Sequence, residues 1–327
     1  MSTIRDVAKQ ASVSVATVSR VINQSGYVHI KTKERVEKVI KQLNYQPNDV
    51  ARSLYKGRSK MVALLVPDIM NPFFPQLARA VEDVASKYGY TFVLCNTDDE
   101  KEKELAYLNA LRQKSVDGMI IVSSKLSQED VSDITTPMIA LDRKISIDID
   151  LVTVNNQDGA QQAVRFLMQK GCQRIGHICG PENASSSKAR LKGYLDVVKN
   201  EPWFSSGYIR SGKYGFEAAF EATKKMLTEH PDIDGLFAAN DLMAVGALKA
   251  AEQLGYRVPD DLSIIGFDGI GIGKATKPAI TTMAQPIYEI GATAAEMLIT
   301  RIQDTTIPIT EKELRVKLIE RGSTRVS

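Results

Sequence analysis

The 327-residue sequence is poor in the residues that staple, ligate or catalyse. Its three cysteines, Cys95, Cys172 and Cys179, cannot all pair, and none stands in a CxxC spacing of the kind that holds zinc or runs redox chemistry. A reducing, cytoplasmic setting is expected. The three histidines, His29, His177 and His230, are scattered, and neither a GxSxG nucleophile elbow nor an HExxH metal motif occurs, so a core or surface role is expected for each. No apolar run approaches the roughly 20 residues of a membrane span. The N-terminal MSTIRDVAKQ carries charge where a signal peptide needs its apolar region, so a soluble, non-exported chain without membrane contact is expected. The one tempting glycine run, Gly266 to Lys274, contains no GxGxxG, and Gly273-Lys274 is followed by Ala275 without the upstream glycine of a phosphate loop. It reads as a flexible loop, and the chain as neither an enzyme nor a cofactor carrier.

What the sequence does have is an uneven distribution of charge. Residues 1–60 hold twelve Lys and Arg against four Asp and Glu, a net of +8, while the remainder holds thirty against thirty-five, a net of −5. A small basic head precedes a larger, mildly acidic body. Such a head favours an anionic partner, with nucleic acid ahead of membrane because no basic amphipathic helix with an aromatic face is present.

Within the head, Ile4, Val7, Ala8 and Ala11, then Val15, Val18, Val21 and Ile22, recur at helical spacing with a break between them. Thr3 and Asp6 form a capping-box pattern at the first helix, and Ser14 can cap the second. A third helix is predicted from about Thr32 to Leu43, with Val36, Val39, Ile40 and Leu43 on one face. These three helices read as a unit containing a helix-turn-helix, with a small helical bundle bearing a solvated basic face as the alternative. The second presents Val15, Ala16 and Arg20 among small residues, allowing close approach to a major groove, where Arg20 can pair bidentately with guanine and the two small side chains can touch thymine methyls. A short helix from Asn48 to Gly57 follows, too short to be stable in water unless packed on a partner or on DNA.

The ordered motifs TIRDVAKQASVSVATVSRVIN and LNYQPNDVARSLYKG resemble the head and hinge of the LacI/GalR family of transcriptional regulators. The resemblance implies Val15, Ala16 and Arg20 as base readers. It implies Thr3, Ser14, Thr17, Asn23, Thr32, Tyr45, Asn48 and Ala51 as further DNA contacts, and Leu54 as a hinge wedge entering the minor groove. Paired wedges from two protomers would partly unstack and bend the duplex, which requires a homodimer on a near-palindromic operator. Ser12 departs from the family's usual glycine at the turn, which serine makes less favourable without excluding.

From Met61 the chain alternates short apolar runs (MVALLVP, TFVLCNT, GMIIVSS, PMIALD) with amphipathic helices, and the rhythm repeats after Val154 through RIGHICG, GLFAAN and LSIIGFD. Helices are predicted at about 76–88, 101–114, 159–170, 188–199, 216–229 and 242–254. This reads as an α/β body of two similar lobes with parallel sheets. The expected boundaries are 1–47 for the head, 48–58 for the hinge and 59–327 for the body. Its N-lobe is expected at about 61–156 and 287–315, and its C-lobe at about 157–284 and 316–327.

In such sheets ligands lie beyond the carboxyl ends of the strands, which gives priority to Asp68, Asp142, Arg143, Asn240, Asp241 and Asp268. With Asn71, Phe73, Phe74, Arg190, Tyr214, Phe267 and Gln285 they supply planar polar groups and rings suited to sugar hydroxyls and C–H faces, though any one strand-end Asp or Asn is as readily a loop cap. The fragments NPFF, LDR, AND, GFDG and AQP are similar, motif by motif, to the periplasmic ribose-binding protein as well as to LacI/GalR cores. That likeness implies Asp142 and Asp268 as hydroxyl acceptors, Arg143, Arg190, Asn240 and Gln285 as donors, and Phe73, Phe74 and Tyr214 as ring contacts. Tyr214 departs from the carrier's phenylalanine. The segments NPFFPQLARAVED, GYVH and VARSLYKG look most like ribose-operon repressors, so a sugar-released repressor with ribose as effector is expected. A catabolite-control regulator using a phosphorylated carrier protein as corepressor, or a purine- or other-sugar-responsive regulator, stands as the alternative. Replacing Arg20 by alanine should cost about 1–3 kcal/mol of binding at a single base pair, read by competition across operator variants. A uniform loss over all sequences would make Arg20 a phosphate contact instead.

Overall fold

Seven small apolar side chains hold the head together: Val7, Ala8, Ala11, Val18, Val21, Val36 and Val39 are all buried in one cluster. The computed structural model describes residues 2–45, 59–123 and 125–326. The predicted helix over 48–57, with Asn48, Ala51 and Leu54, lies outside the described residues. The chain divides between Ser59 and Lys60 into two compact units.

In the first unit, α1 (Ile4–Gln10) opens with the predicted capping box, Asp6 N donating to Thr3 Oγ1 at 3.3 Å and Thr3 N to Asp6 Oδ2 at 2.7 Å. The helix ends where Ser12 turns left-handed at φ +49°, so serine does occupy the conformation that glycine would take more easily. Ser14 then caps α2 (Val15–Asn23), its Oγ accepting from Thr17 N at 3.1 Å. The third helix, α3 (Ile30–Gln42), starts two residues earlier than predicted because His29 serves as its cap, Nδ1 accepting from Lys31 N.

The body is built from strands buried along most of their length, as parallel sheets covered on both faces require. Its first lobe holds β1 (Met61–Val66), α4 (Phe73–Lys87), β2 (Thr91–Asn96), α5 (Lys101–Gln113), β3 (Gly118–Val122), α6 (Gln128–Val131), β4 (Met138–Leu141) and β5 (Asp150–Val154). The second holds α7 (Asn156–Gln169), β6 (Ile175–Cys179), α8 (Ser185–Val198), β7 (Ile209–Ser211), α9 (Phe216–Glu229), β8 (Gly235–Ala238), α10 (Asp241–Gln253), β9 (Ser263–Asp268), α11 (Ile272–Ala275) and β10 (Thr281–Ala284). The chain then returns with α12 (Ile287–Gln303) and β11 (Glu311–Leu314) and finishes with β12 (Lys317–Ile319). One sheet has the order β11-β5-β4-β3-β1-β2 and is wholly parallel; the other runs β12-β10-β9-β8-β6-β7, with β12 antiparallel to β10. Three passages therefore join the lobes, after β5, after β10 and after β11.

Three helices begin three residues before their predicted starts, α4 at Phe73, α7 at Asn156 and α8 at Ser185. The first turns of α7 and α8, Asn156-Gln157-Asp158 and Ser185-Ser186-Ser187, are polar and carry no apolar period, so periodicity misses them, while α4 opens with Phe73-Phe74-Pro75. Sequence reading also passes over α12, whose apolar side chains pack on the first sheet and α4. Near the end of α12 a buried guanidinium ties helix to sheet: Arg301 Nε and Nη2 donate to the two oxygens of Asp150 at 2.9 Å each, and further donors reach the carbonyls of Ile307 and Pro308. Removing one partner of such a pair leaves an uncompensated buried charge. Asp150→Ala should therefore destabilise the body by about 3–5 kcal/mol in urea denaturation; a change below about 1 kcal/mol, the value of an exposed ion pair, would show that Arg301 is solvated.

Candidate functional site

The two units carry two different kinds of surface. On the head, α2 buries Val18 and Val21 and turns Val15, Ala16 and Arg20 outward, with Thr17 half-buried beside them. Ser14 Oγ and Thr17 Oγ1 lie 2.9 Å apart at the start of that helix. Thr3 is exposed and engaged with Asp6, whose carboxyl is held below its ordinary range by the Thr3 backbone and side-chain hydrogen bonds. Asn23 donates to Ser19, Thr32 is half-buried on α3, and Tyr45 packs against the head core. One exposed helix face thus presents the three predicted base readers together, with small hydroxyls at its N-terminal end.

In the body, a cavity of about 480 Å³ lies between the lobes, at the strand ends of both sheets. Ten of the twelve predicted effector residues line it: Asp68, Asn71, Phe73, Phe74, Asp142, Arg190, Tyr214, Asn240, Asp268 and Gln285. At its floor Arg190 is 4% exposed and donates through Nε and Nη1. Nε donates to Asn156 Oδ1 at 2.9 Å, and Nη1 to Asp268 Oδ1 at 3.2 Å and to the Ala239 carbonyl at 2.5 Å. Gln285 Nε2 donates to the same Asp268 oxygen at 2.7 Å. From the other lobe Asp142 accepts from Asn156 at 3.3 Å and from Ser185 Oγ at 2.9 Å. Phe73 and Phe74 meet edge to face at 5.2 Å, and Tyr214 donates to Ser186 Oγ at 3.1 Å. Burial pushes the Tyr214 hydroxyl up to about 12, so it stays protonated and a donor.

Capping and lining coexist. Asn71 Oδ1 accepts from Phe73 N at 3.1 Å, Asn240 Oδ1 from Met243 N at 2.8 Å, and Asp68 Oδ1 from Met70 N at 2.8 Å. Each is fixed by nearby backbone, and Asn240 Nδ2 also donates to the Tyr214 carbonyl at 3.3 Å. Six lining residues hold left-handed backbone, among them Asp142 at φ +69°, Tyr214 at +59° and Asp268 at +104°, a local cost of the kind that collects at binding sites. Close approach is needed behind Tyr214: a Cβ on Gly180 would fall 2.5 Å from the ring.

Two expectations are corrected. Arg143 does not line the cavity: the left-handed turn at Asp142 aims that carboxylate inward and its successor outward, so Arg143 donates to the carbonyls of Ser123, at 2.8 Å, and Leu126. Phe267, wholly buried, supports the site from behind, its ring 3.8 Å below the Arg190 guanidinium. Missed from sequence were Asn156, Ser185 and Ser186, which stand in the unrecognised first turns of α7 and α8. The glycine run is also more fixed than the predicted flexible loop. Asp241, fully buried, accepts from Ile270 N at 2.8 Å and from Thr282 Oγ1 at 2.6 Å, and a Cβ at Gly266 would sit 2.3 Å from its oxygen. Burial, with the charge of Asp268 adding to it, lifts the Asp241 carboxyl from 3.8 to about 8. His177 is a core residue, stacked between Tyr194 and Phe237 at 4.9 and 4.7 Å and driven down to about 4 by burial. Among the described residues no cluster of His, Cys, Asp and Glu is arranged to hold a metal ion, and no helix is long and apolar enough to cross a membrane.

Residues 3–48 match the family model for bacterial regulatory proteins of the lacI family, and residues 164–324 match that for a periplasmic binding protein-like domain. The chain is 49% identical over 325 residues to the ribose operon repressor of Halalkalibacterium halodurans, covering 99% of this chain and 98% of that one. It is similar in structure to the lac repressor dimer bound to operator and the anti-inducer ONPF, with a TM-score of 0.89, 29% identity and 99% of each chain covered. A LacI family transcriptional regulator from Enterococcus faecium with bound ribose matches at a TM-score of 0.73 and 34% identity, over 81% of this chain and 98% of that one.

The raised Asp241 carboxyl carries a pH signature. A proton retained in the folded chain between pH 4 and pH 8 and released by the unfolded one makes stability fall as pH rises. Relative to Asp241→Asn, the native chain should lose up to about 1.4 kcal/mol per pH unit across that window. Denaturation midpoints of the two proteins that run parallel from pH 5 to 8 would contradict it.

Proposed function

Because the chain belongs to the LacI family of bacterial regulatory proteins, we propose that it is a sequence-specific DNA-binding repressor of a ribose utilisation operon, released from its operator when a sugar fills the cavity of its body. It is a transcriptional regulator and not an enzyme. The observation that carries the effector reading is the buried array of Arg190, Asp268, Asn156 and Gln285, a fixed set of donors and acceptors walled by Phe73 and Phe74. Planar groups of this kind, pre-set by their mutual hydrogen bonds, suit vicinal ring hydroxyls, and the aromatic pair suits a C–H face. Full-length identity to a ribose operon repressor and likeness to a ribose-bound regulator support ribose as the sugar. A carrier-protein corepressor or a purine effector is not favoured.

The parts divide as head at 1–47, hinge at 48–58 and body at 59–327. Val15, Ala16 and Arg20 read bases, while Thr3, Ser14, Thr17, Asn23, Thr32, Tyr45, Asn48 and Ala51 position the head and hinge on the duplex, and Leu54 is the minor-groove wedge. Two copies act on a near-palindromic operator, as the family's dimeric, operator-bound relative supports. The site of action is the cytoplasm, where the operator is. Sugar must bind the released and operator-competent states unequally, since equal affinity for both would shift nothing. Lobe movement around the sugar changes the separation of the paired hinges, withdraws the wedge and so lowers operator affinity. For a coupling of about 1–3 kcal/mol, induction weakens operator binding roughly 5- to 150-fold.

A gel shift on a near-palindromic operator, with and without ribose, tests the switch, and calorimetry tests the site. Asp268→Ala and Arg190→Ala should each weaken ribose binding by at least about 30-fold while leaving operator binding of the sugar-free protein intact. Equal heats from the native protein and both variants would remove the proposed site.

A further inference from the structure

A ribose-operon regulator can be addressed by free ribose or by a phosphate ester formed from it, and the two differ mainly in charge. The charges of the cavity can therefore distinguish them. Its lining carries more carboxylates than cations: among the described residues only Arg190 and Lys213 are basic. At the rim, Asp98 contacts Lys103 and Asp99 pairs with Lys125 at 3.7 Å, so those basic groups are matched. Lys213 is exposed, where water and salt screen it. Depth matters more, because a charge taken out of water needs a partner of opposite sign.

In the depth of the cavity two carboxylates, Asp142 and Asp268, face one guanidinium. Arg190 is already neutralised by Asp268 and has given Nε to Asn156 and Nη1 to Asp268 and the Ala239 carbonyl. Its planar fork is thus not open in the bidentate geometry that makes arginine a phosphate binder. The Arg190 guanidinium also sits over the Phe267 ring, 3.8 Å from its centre. Burial raises the Asp268 carboxyl, with Arg190 opposing. Were that carboxyl to gain a proton, Asp142 would still stand against Arg190 and no surplus positive charge would appear.

We infer that this cavity takes an uncharged sugar and rejects its phosphate esters, with Asp142 and Asp268 as the groups that enforce the choice. The inference rests on the sugar reading of the cavity. Hydroxyls can donate to both carboxylates, whereas a phosphate oxygen can only accept and brings its charge against theirs.

Isothermal titration of the full chain with ribose and with ribose 5-phosphate reads the difference directly. Ribose 5-phosphate should bind at least about 100-fold more weakly than ribose, the scale of unpaired like charge in a buried site. Asp142→Asn removes one carboxylate while keeping its shape, and should narrow that ratio severalfold. Ribose 5-phosphate binding as tightly as ribose, or more tightly, overturns the inference and leaves the sugar reading standing. An unchanged ratio in Asp142→Asn overturns the role given to the carboxylates. If neither sugar gives heat with protein that still melts cooperatively, the sugar reading falls and the inference falls with it.

Discussion

A single buried guanidinium organises the interior of the body. Arg190 reaches from α8 to Asn156 at the start of α7, to Asp268 at the end of β9 and to the carbonyl that follows β8, all within hydrogen-bond distance. A charge so placed is tolerable because Asp268 pairs with it and its Nε and Nη1 find acceptors. The same demand gives the second lobe a rigid floor, and a rigid floor is what lets a small polar ligand exchange its water for protein groups without a large cost of reordering them.

The first lobe contributes differently. Its wall is apolar where Phe73, Phe74 and Leu77 enter the cavity, and its polar groups there include Asn71, Ser123 and Asp142. The Asp142 carboxylate already reaches across to Ser185 on the opposite lobe. A ligand between the lobes would meet a fixed polar floor on one side and a wall of rings and polar groups on the other. Binding and lobe position are coupled by this arrangement, because the groups that recognise a ligand lie on both sides of a boundary which the chain crosses at three places.

Backbone strain and close packing set the aim of the site. Asp142, Tyr214 and Asp268 are all left-handed and line the cavity, while neighbours of Asp142 and Asp268 are directed away. Arg143 and Phe267 are those neighbours, one tied to the carbonyls of Ser123 and Leu126 and the other buried beneath Arg190. Asp241 anchors the turn after β9 from below. The affinity of such a site depends on residues that never touch its occupant.

Local pattern in the chain was enough to establish the helix-turn-helix, with its caps at Thr3 and Ser14, and the alternation of apolar strand and amphipathic helix through most of the body. Those features follow from short-range periodicity and from hydrogen bonds between near neighbours, so they are written within a few residues of one another. Strand ends likewise marked ten of the residues that line the cavity, because parallel sheets place their carboxyl ends on one side. Packing across long separations decided the rest: that Arg190 would spend its donors on Asn156 and Asp268, that Arg143 would face away, that α12 would return to cover the first sheet, and that three serines would open α8 beside a ligand. A side chain's direction depends on the φ of its own residue and on neighbours dozens of positions distant, and neither is encoded in the spacing of residue types.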